Sequence, residues 1–145
     1  MARSILIQQV HWHAYESILR EIRTRVFVQE QGVPETLEWD GMDPHCRHWL
    51  AWYKYQAVAT ARLTPDGQIG RMAVLPDWRK QGIGTDLLRT ILSTCRHEGI
   101  KVFLNAQLDA RDFYLQNGFI PEGAIFTEAG IPHIRMIHDQ GNHRI

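Results

Sequence analysis

Arg79, Lys80, Gly82 and Gly84 stand directly ahead of an amphipathic run, and that combination is suited to holding an anion. Glycine lets a backbone approach a ligand closely, and the first amides of a helix have no carbonyl partner of their own. Several such amides can converge on phosphate oxygens, where the helix dipole also favours negative charge. Arg79 and Lys80 add cations at the edge of the turn, and arginine can pair two phosphate oxygens with two parallel donors. The chemistry expected is the binding of a pyrophosphate. A glycine pair before a helix can also be a tight turn that only permits packing, so its surroundings must decide. Neither GxxxxGK[ST] nor a complete GxGxxG near the start of the chain is present, which argues against a P-loop and a dinucleotide fold.

The elements that must position this turn can be read from periodicity. Residues 4–10 suit a first strand, and Tyr15, Ile18, Leu19, Ile22 and Val26 recur at helical spacing. Gly32 and Pro34 break that period, so 29–47 reads as a loop with room for one short helix. His48 to Tyr53, Gln56 to Leu63 and Gln68 to Leu75 form an antiparallel meander, with Pro65, Asp66 and Gly67 turning the second strand into the third. After the glycine turn, Leu87, Leu88, Ile91, Leu92 and Cys95 mark a helix that Gly99 stops, and Lys101 to Leu104 is a buried strand. Strand, turn, helix and strand make a βαβ unit with a right-handed crossover and parallel pairing. Asp109 is placed to cap a helix through Phe113 and Leu115 that ends at Gly118. Phe119 to Phe126 and His133 to His138 close an antiparallel arm.

The chain has 145 residues, enough for one α/β domain spanning 1–145 with a real core. Its 16 Lys plus Arg match 16 Asp plus Glu, so no broad attraction to nucleic acid follows. Cys46 and Cys95 are expected as reduced thiols, and Met1, Ala2, Arg3 and Ser4 do not open an export signal. No apolar run reaches the roughly 20 residues a membrane helix needs. The default expectation is cytoplasmic, with no membrane partner.

The segment Ala73, Val74, Leu75, Pro76, Asp77, Trp78, Arg79, Lys80, Gln81, Gly82, Ile83, Gly84 resembles motif A of the GNAT superfamily of acyl-CoA N-acyltransferases. The family form [QR]-x-x-G-x-[GA] is met by Arg79, Gly82 and Gly84. Asn105 and the run from Ala110 to Phe119, including Phe113, look like the family's second cofactor region, with its characteristic tyrosine at Tyr114. Arg23, Val26 to Val28, Glu30 to Pro34, Glu38, Asp40, Asp43 and His48 resemble a bacterial subgroup of uncharacterised GNAT-like proteins. The resemblance implies a single-domain GNAT-like fold whose central mixed sheet is splayed and flanked by helices. It further implies that acetyl-CoA or another acyl-CoA is the cosubstrate. Met72, Ala73 and Val74 would then meet the pantetheine arm through main-chain groups. Gln81, Gly82, Ile83, Gly84 and Thr85 would surround the pyrophosphate. Tyr114 would protonate or hydrogen-bond the departing thiolate, and acyl transfer would go directly to an amine on a small molecule or protein.

An acceptor amine must also lose a proton. Several family members carry a glutamate where this sequence has Gln68, and a neutral amide cannot serve as a general base. Glu38, Asp40 and His48 are the replacements to test, directly or through water. The acids at 35, 38, 40 and 43 mildly favour a cationic acceptor. No metal is expected: His11 and His13, and His45, Cys46 and His48, lack the spacing of a zinc site. Two other readings stay open. One is an inactive acyl-CoA-binding sensor or partner-binding protein, motivated by Gln68. The other is an association module built on Trp12, Trp39, Trp49, Trp52 and Trp78. A homodimer is compatible with the sequence.

Overall fold

The computed structural model describes residues 4–138, so Met1 to Arg3, where an export signal would begin, lie outside it. Its strands are β1 (Leu6–Val10), β2 (Arg47–Tyr53), β3 (Gln56–Leu63), β4 (Gln68–Val74), β5 (Phe103–Gln107), β6 (Phe119–Pro121), β7 (Phe126–Glu128) and β8 (Ile131–His138). The helices are α1 (Trp12–Arg23), α2 (Glu35–Glu38), α3 (Ile83–Glu98) and α4 (Arg111–Gln116). One sheet runs β1-β2-β3-β4-β5-β8-β6, with β7 also pairing β8. Every pairing is antiparallel except β4 with β5, as the βαβ reading requires.

Helices cover both faces of this sheet. Arg47 reaches Glu98 at the end of α3, while its neighbour His48 packs its ring against Trp12 of α1. Adjacent strand residues point to opposite faces, so α1 and α3 lie on opposite sides. Leu19, Ile22 and Val26 bury the inner stripe on one side. Leu87, Leu88, Ile91, Leu92 and Cys95 do so on the other. Gly99 stops α3 with φ 71°, and Ile100 N–H returns to the Cys95 carbonyl at 2.9 Å, a Schellman closure.

Four local expectations need correction. The first helix changes at Arg23 into a π-helical segment, Thr24–Glu30, so the loop expected from residue 29 starts later. Asp109 does not cap α4; Leu108–Ala110 form a 3-10 turn, and Ala110 occupies the cap without a side-chain bond. The arm strand at 119–126 is broken into β6 and β7, with Gly123 between them at φ 86°. The tryptophans form no common surface: Trp12, Trp49 and Trp78 are buried, and Trp39 lies beneath the guanidinium groups of Arg20 and Arg23. Among the described residues no helix is long and apolar enough to cross a membrane.

Candidate active-site cleft

The parallel pair at the centre of the sheet parts almost as soon as it forms. Gln68 pairs with Phe103 and Ile69 with Leu104, and the pairing ends there. From Gly70 to Val74, β4 keeps β3 on one side and has no strand on the other. Its geometry changes at the same point. Arg71 has φ 49°, and the β3–β4 register shifts between Thr60 and Arg62, the signature of a bulge. The parting leaves a cleft of about 990 Å³. Met72, Ala73 and Val74 line it from β4, Asn105 and Gln107 from β5, and Phe113 and Tyr114 from α4.

At one end lies the glycine turn. Gly82 caps α3 with φ 84°, a left-handed geometry that costs a side-chain-bearing residue about 1–2 kcal/mol. The first intrahelical bond runs from Asp86 N–H to the Gly82 carbonyl, so the amides of Ile83, Gly84 and Thr85 open the helix as free donors. A Cβ on Gly84 would meet the Phe113 ring at 3.6 Å, so the helix start already fits closely against α4. Lys80, Gly82, Ile83, Gly84 and Thr85 all line the cleft, whereas Gln81 does not and bonds the Asp77 carbonyl. Arg79 differs from the free cation expected. Its Nη atoms bond both oxygens of Glu30 at 2.7 Å, and its Nε bonds the Val74 carbonyl at 2.8 Å. It ties the turn to the end of the π-helical segment and to β4.

Tyr114 enters from the α4 side, its hydroxyl 3.9 Å from Met72 Sδ and its ring edge-on to Phe113 and Phe119. Burial among these groups pushes its phenol up to about 12. At neutral pH it therefore remains a hydrogen-bond donor.

The candidate bases fare differently from one another. Glu38 is 3% exposed, with Oε2 2.8 Å from Arg23 Nε and 3.2 Å from Arg71 Nε. Asp40 accepts from Arg62, Arg71 and the Met42 amide. Burial alone would raise its carboxyl, but the bonds from Arg62 and Met42 and the nearby guanidinium charges hold it at about 2. Asp43 joins Arg23 at 2.7 Å and Arg62 at 3.1 Å. Three arginines thus face three carboxylates, which neutralises the acidic character that 38, 40 and 43 display in sequence. His48 is fully buried and outside the cleft lining; Nε2 bonds the Asp43 carbonyl at 2.9 Å, and burial pushes its pKa down. Glu38 and Asp40 do line the cleft, on its α1 side with Arg62 and Arg71.

Periodicity did not single out His133 as a site residue, yet it lines the cleft from β8 beside Ile131. Only the long-range register of β8 against β5 brings it there. Among the described residues no group of three or more His, Cys, Asp or Glu is arranged to hold a metal ion.

A model of the acetyltransferase (GNAT) domain matches residues 9–139. Protein ElaA of Escherichia coli is 35% identical over 130 residues, covering 83% of this chain and 85% of its own. Its crystal structure superposes with a TM-score of 0.84 at 33% identity, over 92% of this chain and 99% of that one. The crystal structure of an acyl-CoA N-acyltransferase from Pseudomonas aeruginosa gives a TM-score of 0.80 at 28% identity, over 93% and 99%. The N-acetyltransferase YjcF of Bacillus subtilis, itself uncharacterised, is 31% identical over 123 residues, covering 81% and 88%.

Proposed function

Because the chain belongs to the GNAT acetyltransferase family, we propose that it transfers an acyl group, acetyl by default, from acyl-CoA to a primary amine. The observation that carries this reading is the early parting of β4 from β5. It leaves an unpaired strand edge leading directly to the glycine turn. Main-chain groups of Met72, Ala73 and Val74 supply strand-like partners for the amide-containing pantetheine arm. The free amides of Ile83, Gly84 and Thr85, the α3 dipole and the Lys80 ammonium suit the pyrophosphate. Gln81 and Arg79 shape the turn, Arg79 by tethering it to Glu30 and β4. Asn105 and Phe113 wall the arm from the far side.

The cosubstrate supplies an acyl group activated as a thioester. Tyr114 assists departure of the sulfur as a hydrogen-bond donor. With the phenol at about 12 and a thiol ordinarily near 8.5, complete proton transfer is uphill by roughly three to four pH units, so the bond itself provides the stabilisation. Asp40 holds its charge too tightly to accept an amine proton readily, and Glu38 is engaged by two guanidinium groups. We therefore assign both to the buried network rather than to proton transfer, and we leave His48 out of the chemistry.

Calorimetric titration with acetyl-CoA and with dephosphorylated pantetheine tests the reading. The expected result is saturable binding of acetyl-CoA and much weaker binding of the pantetheine fragment. A folded sample with no affinity for acetyl-CoA would overturn it. Gln68, where the resemblance to the family leads to the expectation of a glutamate, favours a second reading in which the cleft binds acyl-CoA as a sensor. That reading predicts binding without CoA release on any amine tested.

A further inference from the structure

His133 has what Glu38, Asp40 and His48 lack: one nitrogen is tied down and the other is left for the cleft. It lies opposite Gln107 of β5 and opposite Phe126 of β7, and directly opposed strand residues share a face. Gln107 in turn bonds Gln31, just beyond the π-helical segment, at 2.8 Å. The His133 face is therefore the one on which the first helix and its π-helical extension lie, across the sheet from α3. The residue is 6% exposed, and its ring stacks on Phe126 at 5.9 Å between centroids.

Its Nδ1 sits 2.7 Å from the Ile131 carbonyl oxygen. A carbonyl can only accept, so Nδ1 carries the hydrogen. In the neutral ring the lone pair is consequently on Nε2, which takes no hydrogen bond from the described residues. His133 and Tyr114 line the same cleft from different elements. A fixed tautomer with a free acceptor nitrogen is what proton abstraction requires.

We infer that His133 Nε2 is the general base that receives the proton of the acceptor amine. The inference rests on the acyl-transfer reading. The amine nitrogen forms a bond to the thioester carbonyl carbon, the C–S bond breaks, and the electron pair leaves on sulfur. An acceptor that arrives as an ammonium ion gives its first proton to Nε2, which passes it to solvent and so frees the amine lone pair for attack. The second proton, surplus once the N–C bond has formed, passes through Nε2 to the released thiolate. The surrounding charges suit this. Glu128 of β7 and Asp109 before α4 line the cleft as carboxylates without an ion-pair partner among the described residues. Arg135, two positions along β8, is drawn away to Glu122 at 3.0 Å. These carboxylates attract an acceptor that arrives as a primary ammonium ion.

Two variants separate chemistry from folding. His133→Asn keeps a side-chain N–H able to bond Ile131 but has no basic nitrogen, whereas His133→Ala leaves room for imidazole added to the buffer. CoA release from acetyl-CoA is followed with 1,4-diaminobutane, Nα-acetyl-lysine amide, glucosamine and glycine amide as acceptors. The expected result is a loss of about 10²- to 10⁴-fold in kcat/KM for both variants, with acetyl-CoA affinity within about twofold of the native protein. Added imidazole should restore the alanine variant by about tenfold or more, as a merely structural histidine would not allow. Turnover by His133→Asn within about threefold of native would overturn the inference while leaving acyl transfer intact. Absence of CoA release by the native, acetyl-CoA-binding protein on all four amines would instead overturn the acyl-transfer reading, and the inference with it.

Discussion

Arg23 Nη1 lies 2.7 Å from Asp43 Oδ1, and the two side chains are only 1% and 5% exposed. The same oxygen accepts from Arg62 at 3.1 Å, so one buried carboxylate joins α1 to β3. Replacing Asp43 by Asn keeps the shape but leaves two guanidinium groups short of a counter-charge. We expect a loss of about 3–5 kcal/mol, read from urea midpoints. The half-exposed pair of Arg20 with Glu16 is the control, and Glu16→Gln should cost less than about 1 kcal/mol. Equal effects at the two sites would remove the network from the stability of the fold.

Acid should act on the fold in two stages. His48 has a folded pKa below its ordinary value, so its contribution is complete above about 6.5 and is lost as pH falls below that. Asp43 and Asp40 are also depressed, Asp40 to about 2. Their contribution is complete above the ordinary carboxylate value near 3.9 and is lost as pH falls toward about 2. Melting temperatures measured from pH 8 to pH 2 should fall gently first and steeply last. A flat profile below pH 4 would contradict the assigned ion pairs.

Tyr114→Phe should leave acetyl-CoA affinity near native and slow the chemical step. Loss of one donor to a developing anion typically costs on the order of 10- to 1000-fold. Rapid-quench single-turnover rates with a transferable amine give the comparison, and equal rates would return Tyr114 to a packing role.

Glu30 competes with any phosphate for Arg79, whose bonds and charge hold the Glu30 carboxyl below its ordinary value. Glu30→Gln removes a negative charge beside the turn and frees the guanidinium. Acetyl-CoA should then bind about threefold to tenfold more tightly at low ionic strength, with the gain shrinking in about 0.5 M salt. Weaker binding at both salt levels would mean that the tether matters more than the charge.

Gly82→Val forces a β-branched residue into the left-handed geometry at the start of α3. Acetyl-CoA affinity should fall by about tenfold or more, while circular dichroism retains the native helical signal. Native affinity would displace the pyrophosphate from this turn.

How much of this was legible in the chain depended on distance along it. Gln56–Leu63 forms a strand with the expected bounds, and Gly82 to Gly99 frames α3, because hydrophobic period and glycine geometry are local signals. The parallel join of β4 to β5 followed from a handedness rule applied to local units. Glu38, Asp40 and Asp43 could not be read correctly from their own segment. Their partners Arg23, Arg62 and Arg71 come from a helix and two strands. His133 was hidden for a similar reason. Nothing in its neighbours reveals that Ile131 fixes its tautomer or that β8 turns it into the cleft.

The parting of β4 from β5 also gives the sheet two internal edges, and an unpaired edge ordinarily invites another chain to add a strand. Arg71 guards the β4 edge in two ways. Its bulge twists the strand out of register, and its guanidinium places a charge at the mouth of the gap, 22% exposed and held by Glu38 and Asp40. A small extended ligand can follow a short twisted edge that a regular β-strand cannot. The distortion proposed to admit a thioester arm is thus also one that disfavours the addition of a further regular strand at the same edge.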